Sequence, residues 1–335
     1  MALVDVPEPS QPGPGEVVIG SMTVGLCGSD YHFFSGHLPP EAGGGSDAFP
    51  KIQGHEVGGV VTAVGRGVGS ELEPGRPVAL HPLSHCGECY PCRVGRPNAC
   101  DNFQLTGIHL DGGLQEQLVV PAGQVYPIGN DDAAIGAMAE PVSIGLRAVR
   151  RARIEAGEHV VVLGAGPIGQ AVCMLARESD AEVLVVDPQE GRLDLSRSMG
   201  AEGLVWTDSD EVVAHARDWA GGEGVPVVVD ATGVPQAIRA AVDMAASAGR
   251  VAQVGMSGQE VSLRVGWFTE KELDMLGVCC CGGGEFAEAV AAVERNPGIV
   301  KRLISHEFDL ERAPEAMAFA ISNPSEVMKV VIRGG

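Results

Sequence analysis

Basic and aromatic residues are scarce in this chain. Its 335 residues include 23 Lys and Arg against 44 Asp and Glu, which gives a formal net charge of −21, and aromatic residues make up 4%. Proteins bind a nucleic-acid backbone through clustered basic side chains, so this charge argues against nucleic acid as a partner. It is compatible with a small-molecule ligand.

Long uninterrupted apolar runs are missing too. The longest apolar stretch, 160–176, predicts a strand, a turn and a helix and not a membrane span, because it is broken by Gly164, Gly166, Pro167, Gly169 and Gln170. No basic segment followed by an apolar run opens the chain, and the nine cysteines are odd in number. We therefore expect a cytoplasmic protein in a reducing compartment, with no membrane partner.

The composition changes along the chain. Roughly the first 125 residues are rich in Gly, Pro and Val, in short β-type runs separated by turns, which is typical of an all-β barrel or sandwich. From about residue 158 onward strands and helices alternate, which predicts βαβ units and a parallel sheet. The expected fold class is therefore α/β plus all-β.

A glycine-rich turn follows the first strand of the second region. Gly164, Gly166 and Gly169 form a G-x-G-x-x-G motif that also contains Pro167 and Ile168. The glycines permit a tight turn and a close approach of the backbone to a pyrophosphate, and the following helix N terminus supplies free N–H groups. The alternative is a flavodoxin-like sheet that binds no dinucleotide.

Asp187 ends the next strand, 18 residues after Gly169. An acidic side chain at this place accepts hydrogen bonds from ribose hydroxyls and repels a 2′-phosphate, so it predicts NAD in preference to NADP. The alternative interpretation is a solvated carboxylate at a strand end.

Four cysteines in one loop predict a closed metal site. Cys86, Cys89, Cys92 and Cys100 have the spacing C-x₂-C-x₂-C-x₇-C. Four thiolates suit a tetrahedral structural zinc with every coordination position filled. The alternatives are disulfides or an iron–sulfur cluster, although the common bacterial cluster motif ends in x₃-C-P.

Two glycine-flanked turns predict a second, open metal site. Cys27 lies in the first turn and His55 and Glu56 in the second, and Glu140 is a further candidate oxygen ligand. Three protein ligands plus a water are the pattern of catalytic zinc. The alternative is a pair of ordinary loops.

Together these motifs resemble the zinc-dependent medium-chain dehydrogenase/reductases of the alcohol dehydrogenase superfamily, especially the polyol (sorbitol-type) and threonine dehydrogenase branch. The resemblance rests on GLCGSDYH (25–32), GHEVGGVVTAVG (54–65), the four-cysteine loop, AEP, GAGPIG and DATG, and it covers nearly the whole chain. It implies a GroES-like catalytic domain over 1–142, completed by 283–335, and a Rossmann NAD-binding domain over 143–282.

The resemblance also implies roles for single residues. It assigns the catalytic zinc to Cys27, His55 and Glu140, with Glu56 as a ligand or a neighbour of the ligands. Ser29 would take the substrate proton and His32 would form the far end of the proton relay. Cofactor contacts are implied for the glycine-rich turn, for Asp187, for Arg192 beside the adenine, and for the backbone of Val254, Gly255, Met256, Val278, Cys279 and Cys280.

The implied activity is oxidation of a secondary alcohol to a ketone by a zinc- and NAD-dependent homodimer or homotetramer. Phe33, Cys280, Cys281 and the loop 37–49 depart from the polyol enzymes, which leaves room for a sugar or a cyclitol as substrate. One rival is a zinc-free quinone or enone reductase, which lacks both sets of metal ligands. The other is a non-catalytic NAD-binding scaffold, which has no need of Ser29 and His32.

Overall fold

The computed structural model describes residues 1–9, 11–36 and 49–334. It divides into two units, the first made of Met1–Ser143 with Cys280–Gly335 and the second of Ile144–Cys279. The predicted bounds lie one residue before the first division and three residues after the second. Cys281 falls in the first unit because its Sγ lies 3.1 Å from Ser143 Oγ and its carbonyl oxygen 3.2 Å from His81 Nε2.

Fifteen strands are present in the described ranges. In chain order they are β1 (Glu16–Gly25), β2 (Glu56–Val64), β3 (Pro77–Leu80), β4 (Leu83–Ser84), β5 (Gln104–Leu105), β6 (Gln117–Pro121), β7 (Val125–Pro127), β8 (His159–Leu163), β9 (Glu182–Asp187), β10 (Glu202–Val205), β11 (Val225–Asp230), β12 (Ala245–Gln253), β13 (Asp274–Gly277), β14 (Ile304–Asp309) and β15 (Lys329–Arg333).

Twelve α-helices lie in the same ranges. In chain order they are α1 (Gly28–Phe34), α2 (Tyr90–Arg93), α3 (Ala133–Ala137), α4 (Ala139–Ala152), α5 (Pro167–Glu178), α6 (Glu190–Ser198), α7 (Ser209–Trp219), α8 (Pro235–Met244), α9 (Val265–Glu270), α10 (Gly283–Arg295), α11 (Pro297–Leu303) and α12 (Ala313–Ser322). None of these helices is both long enough and apolar enough to cross a membrane.

The first unit is built around β1. This strand pairs with β2 along one side, and on the other side with β6 over its first half and β15 over its second. The change of partner falls at a bulge between Gly20 and Thr23, where Ser21 takes a φ of 45°. Because β1 is rich in β-branched and apolar residues that are buried on both faces, it fits the centre of a sheet. Cys27 follows β1 directly.

The second unit is a parallel sheet in the order β10-β9-β8-β11-β12-β13. The valines of β8 and β11 are buried almost without exception, as expected for strands covered by helices on both faces. From β8 the chain adds β9 and β10 on one side of the sheet and then β11, β12 and β13 on the other. The carboxyl ends of the neighbours β8 and β11 therefore form the crevice where such folds bind dinucleotides.

Three elements of the second unit were not predicted from the sequence: β10, α7 and α9. The strand β10 is four residues long and none of its side chains is fully buried, so it carries little of the apolar signal that marks the other strands. It pairs in parallel with β9 at the edge of the sheet.

Candidate functional site

Cys27 is placed by the end of β1 and the start of α1. It is the N-cap residue of α1 and is partly buried, and its backbone N–H donates to Asp30 Oδ2 at 2.9 Å. Gly25, two residues earlier, has no room for a side chain, because a Cβ there would lie 2.0 Å from Glu56 Oε2. The glycine in this motif therefore lets the strands bring Cys27 and Glu56 together.

His55 and Glu56 stand at the start of β2, opposite Cys27. The ligand atoms of Cys27, His55 and Glu56 all lie within 4.8 Å of one another. His55 and Glu56 are 5% and 1% exposed, so these two side chains are shielded from water, whereas Cys27 is partly exposed. The structure thus brings together three of the four residues predicted to hold the catalytic metal.

Positive charge is favoured at His55. Its Nδ1 is buried, has no hydrogen-bond partner among the described residues, and lies 3.7 Å from Asp30 Oδ2. Burial works to lower the pKa of His55, but the nearby Asp30 and Cys27 raise it well above its usual value. A bound cation would compensate the negative charge near His55 in place of a proton. The imidazole would then stay neutral, which is the form that ligates metals.

Asp30 and Lys329 are functional candidates that the sequence did not reveal. Lys329 Nζ lies 2.6 and 2.7 Å from the two carboxylate oxygens of Glu56 and 3.0 Å from the carbonyl oxygen of Leu26. Lys329 is 4% exposed, which is unusual for lysine, and it stands in the apolar run KVVI. That isolated lysine was the available signal. Glu56 is therefore held by an ion pair.

Glu140 stands near this group at the beginning of α4. Among the described residues it is not one of those whose ligand atoms lie within 4.8 Å of each other. Burial raises the pKa of Glu140 to about 7, and the negative charge of Glu56 adds to the shift. Ionisation of the Glu140 carboxyl group is therefore unfavourable in its buried position. A nearby cation would stabilise the charged form and lower the pKa again.

The donor set of this site suits zinc. A thiolate, an imidazole and one or two carboxylates are the ligands of Zn²⁺ in catalytic sites, which keep one coordination position open. Cys27 and His55 would hold the ion, with Glu140 or Glu56 as the oxygen ligand. The ion pair with Lys329 makes Glu56 the less available of the two carboxylates.

Ser29 and His32 both lie on α1, three positions apart and hence on one face of the helix. Ser29 is partly buried in the first turn, two residues after Cys27, whereas His32 is exposed in the last turn. Phe33 is buried and packs against Phe49 with ring centroids 4.9 Å apart. Residues 37–48 of the glycine-rich loop lie outside the described residues.

The four-cysteine loop forms a compact cage. The Sγ atoms of Cys89 and Cys92, Cys89 and Cys100, and Cys100 and Cys86 are 3.4, 3.6 and 3.4 Å apart. A tetrahedral zinc with bonds of about 2.3 Å separates its sulfur ligands by about 3.8 Å. The observed separations are close to that value and far above the S–S bond of about 2.05 Å in a disulfide.

Backbone groups around the cage also suit thiolates. The N–H groups of Cys86 and Asn102 point at Cys100 Sγ, at 3.4 and 3.3 Å. A cluster of several irons needs a wider cage than these separations provide. The four cysteines therefore fit a single tetrahedral ion.

The glycine-rich turn of the second unit has the conformation predicted for it. Gly164 takes a φ of 97°, and a Cβ on Gly169 would lie 1.8 Å from the carbonyl oxygen of Gly164. Gly166 is different, because a Cβ there would meet no atom within 4 Å. The open space beside Gly166, at the N terminus of α5, is where a pyrophosphate would approach.

Asp187 lies at the end of β9, as predicted, and is 4% exposed. Its Oδ2 accepts a hydrogen bond from Ala165 N at 2.8 Å and its Oδ1 one from Gln189 N at 2.8 Å. These bonds orient the carboxylate beside the turn and leave lone pairs for ribose hydroxyls. Arg192, partly buried, follows in the first turns of α6.

The other side of the crevice joins two loops through Asp230. Its side chain accepts from Thr232 and Gly233, and its carbonyl oxygen from the N–H groups of Val254 and Gly255. Residues 254–256, which are predicted to contact the cofactor, are thereby held against residues 232–234. The sequence predicted no cofactor contact for this second segment. Val234 and Met256 expose apolar side chains, at 48% and 79%.

The last predicted cofactor residues follow β13. Val278 continues the sheet, its N–H donating to the carbonyl oxygen of Gln253 at 2.9 Å, and Cys279 is exposed in the second unit. Cys280 belongs to the first unit and takes a φ of 42°. Cys281, one of the residues that depart from the polyol enzymes, is 2% exposed and belongs to the first unit.

Two family models match the chain: the alcohol dehydrogenase GroES-like domain over residues 13–130 and the zinc-binding dehydrogenase over residues 167–295. The 2-dehydro-3-deoxy-L-galactonate 5-dehydrogenase of Pseudoalteromonas atlantica (strain T6c / ATCC BAA-1087) is 32% identical over 321 residues, which are 96% of this chain and 92% of the relative. The chain belongs to the zinc-type alcohol dehydrogenase superfamily.

Solved structures of this superfamily share the fold. An alcohol dehydrogenase of Escherichia coli CFT073, complexed with NADH, is 29% identical with a TM-score of 0.85, and the match covers 98% of this chain and 94% of that one. A zinc-binding dehydrogenase of Sinorhizobium meliloti 1021, bound to NADP, is 30% identical with a TM-score of 0.86 and the same coverage, 98% and 94%. The predicted family and fold class, a GroES-like β domain with a Rossmann sheet, are confirmed.

Breaking the buried ion pair should strongly destabilise this dehydrogenase. Lys329→Met leaves the carboxylate of Glu56 buried without its partner, which typically costs about 3–5 kcal/mol of unfolding free energy. Arg312→Met, which breaks an exposed pair with Glu315, should cost about 0–1 kcal/mol. Urea denaturation of the metal-loaded proteins measures both. Glu56→Gln added to Lys329→Met should recover much of the loss, and a single-variant loss as small as that of the control would contradict a buried pair.

Alanine substitutions of the second and third glycines of the turn, Gly166 and Gly169, should have different effects on stability and on NAD binding. Gly169→Ala forces α5 away from the turn and should cost about 1–3 kcal/mol of stability, the usual effect of overpacking. Gly166→Ala should change stability by about 0.5 kcal/mol or less, yet weaken NAD binding by roughly tenfold or more because the methyl group occupies the approach to the pyrophosphate. Thermal denaturation and calorimetric titration separate the two effects. Unchanged NAD affinity in Gly166→Ala would place the pyrophosphate elsewhere.

Proposed function

We propose that this protein is a zinc-dependent dehydrogenase that oxidises a secondary alcohol to a ketone and transfers the hydride to NAD. The observation that carries the proposal is the group Cys27, His55 and Glu56, whose ligand atoms lie within 4.8 Å of one another, with Ser29 in the helix turn that begins at Cys27. Family membership supports it, because a zinc ion and a nicotinamide dinucleotide are the cofactors that its members use. The glycine-rich turn and Asp187 supply the matching dinucleotide features.

The chain's own residues handle the proton. Zinc, when bound, lowers the pKa of an alcohol oxygen, and NAD, when bound, accepts the hydride. The Ser29 hydroxyl, two residues after Cys27, would take the alcohol proton, for which a group within hydrogen-bond reach suffices. His32 lies on the same helix face and is exposed, so it would pass the proton to solvent. Lys329 would hold Glu56 away from the reacting oxygen.

The two rival functions are less well supported. A zinc-free quinone or enone reductase has no use for the Cys27 and His55 pair or for the four-thiolate cage. A non-catalytic NAD-binding scaffold has no use for a hydroxyl and an imidazole on one face of α1. Both sets of groups are present in this chain.

For the substrate we propose a polyhydroxylated secondary alcohol, that is a polyol, a sugar or a cyclitol. The relative from Pseudoalteromonas atlantica is named for a sugar-acid substrate, which supports this class. We also propose that the protein is a homodimer or homotetramer, the common form of soluble assemblies, and that it works in the cytoplasm, since an odd number of cysteines, nine, suits a reducing compartment.

A substrate screen tests the proposed activity. NAD reduction should be detected with at least one member of a panel of polyols, aldoses, sugar acids, amino alcohols and cyclitols. On that substrate Ser29→Ala should lower turnover by roughly 10²–10⁴-fold, the usual contribution of positioned acid–base catalysis, while zinc content stays unchanged. His32→Ala should cost less, because solvent can replace the outer end of a relay. Full activity in Ser29→Ala, with chemistry rate-limiting, would remove Ser29 from the proton path.

The metal content should be two zinc ions per chain. The thiolate cage should resist chelators and support folding, whereas the ion at Cys27 and His55 should leave first and take activity with it. Elemental analysis should find one zinc in Cys27→Ser and two in the control Cys173→Ser, whose cysteine is buried in α5. Iron in the cage, or one metal per wild-type chain, would overturn this assignment.

Cofactor choice should follow from Asp187. Its carboxylate can accept charge-assisted hydrogen bonds of about 1.5–3 kcal/mol from ribose hydroxyls, whereas it meets the 2′-phosphate of NADP with like charge. NAD should therefore be preferred by roughly 10²-fold or more. Asp187→Ser should lower kcat/KM for NAD and raise kcat/KM for NADP, so that the preference for NAD becomes smaller. Steady-state kinetics with both cofactors measures this change. A wild-type enzyme that uses NADP as well as NAD would show that Asp187 does not hold the ribose.

A further inference from the structure

A buried glutamine connects the glycine-rich turn to the helix that carries Arg192. Gln170 lies in the first turns of α5 and is 0% exposed. Its Nε2 donates to the carbonyl oxygens of Ala165 and Arg192, at 3.3 and 2.8 Å, and its Oε1 accepts from Ser196 Oγ at 3.0 Å. One side chain thus uses three hydrogen bonds to join the turn to two points of α6.

The same turn is held from its other side. Ala165 N donates to Asp187 Oδ2 at 2.8 Å, so Ala165 has its N–H bound by Asp187 and its carbonyl oxygen by Gln170. The turn is the part of the fold that meets a pyrophosphate, and β9 and α6 carry Asp187 and Arg192, the groups for the adenosine half. The hydrogen bonds of Gln170 therefore run between the places where the two parts of one ligand would bind.

We propose that Gln170 is a positioning residue for the cofactor, which fixes the phosphate turn relative to α6 so that both halves of the dinucleotide bind together. This inference rests on the proposed function, since it requires the dinucleotide site. Gln170 itself touches no ligand and acts through the backbone of Ala165 and Arg192. Loss of the Gln170 side-chain hydrogen bonds should weaken the binding of a ligand that spans the turn and α6 more than the binding of a ligand that contacts α6 alone.

Two fragments of the cofactor separate these cases. AMP carries the adenosine half and one phosphate, whereas ADP-ribose also carries the pyrophosphate that must reach the turn. In Gln170→Met, which keeps the length of the side chain and removes its polar atoms, ADP-ribose and NAD should bind about tenfold more weakly. AMP should change by about threefold or less. Titration calorimetry of the metal-loaded enzyme gives the affinities.

A structural role alone would not change the ratio of the two affinities. Val212→Ala serves as the control, because it truncates a buried side chain of the same unit on α7, which carries none of the cofactor residues. Val212→Ala should lower the melting temperature and leave the ratio of ADP-ribose to AMP affinity unchanged. If Gln170→Met does not fold, Ser196→Ala carries the test, since it removes one of the three bonds and should shift the ratio in the same direction by about threefold.

The outcomes separate the inference from the proposed function. A wild-type enzyme that binds NAD, with variants whose ratio of affinities stays at the wild-type value, would contradict the role of Gln170 alone. A wild-type enzyme that binds neither NAD nor ADP-ribose would contradict the proposed function, and the inference with it. A selective loss of ADP-ribose and NAD supports both.

Discussion

A cluster of ionisable groups around Cys27 and His55, most of them buried, favours positive charge at its centre. The ligand atoms of Cys27, His55 and Glu56 lie within 4.8 Å of one another. Asp30 lies 3.7 Å from the His55 ring, and Lys329 pairs with Glu56 at 2.6 Å. Burying an uncompensated charge costs several kcal/mol, so this arrangement is stable when more positive charge is present. Asp30 and Cys27 raise the pKa of His55, whereas burial is the main cause of the raised pKa of Glu140, to which the charge of Glu56 adds. A divalent cation would satisfy these groups, and the donor set suits zinc.

The two sets of metal ligands are built in different ways. The four-cysteine cage comes from one loop of 15 residues, 86–100, and needs little besides that loop to form. The group around Cys27 is assembled from β1, β2, α4 and β15, and it exists when the sheet of the first unit is in register. Lys329 and Glu56 are 273 positions apart, and β1 stands between their strands. The site around Cys27 therefore depends on the fold, which is a physical reason to expect that an ion bound there would be the more easily lost.

Local patterns predicted what depends on local sequence. The cysteine spacing predicts the cage, G-x-G-x-x-G predicts the turn at Gly164, and the alternation of strands and helices predicts the parallel sheet. Groups that act through distant partners were not predictable in the same way. The partner of Lys329 depends on the pairing of β15 with β1, and the three hydrogen bonds of Gln170 depend on how α5 packs against α6. The exact role of Glu56 is not predictable for the same reason. The local sequence contains the neighbouring His55, whereas the partner Lys329 lies 273 positions away.

An anomalous difference map at the zinc absorption edge, from crystals of the catalytically active enzyme, tests the account most directly. The account predicts one peak among the four Sγ atoms of the cysteine cage. It predicts a second peak between Cys27 Sγ, a nitrogen of His55 and a carboxylate oxygen. Active crystals whose anomalous density is confined to the cysteine cage would contradict the central claim, that the buried charge around Cys27 and His55 is there to hold the catalytic zinc.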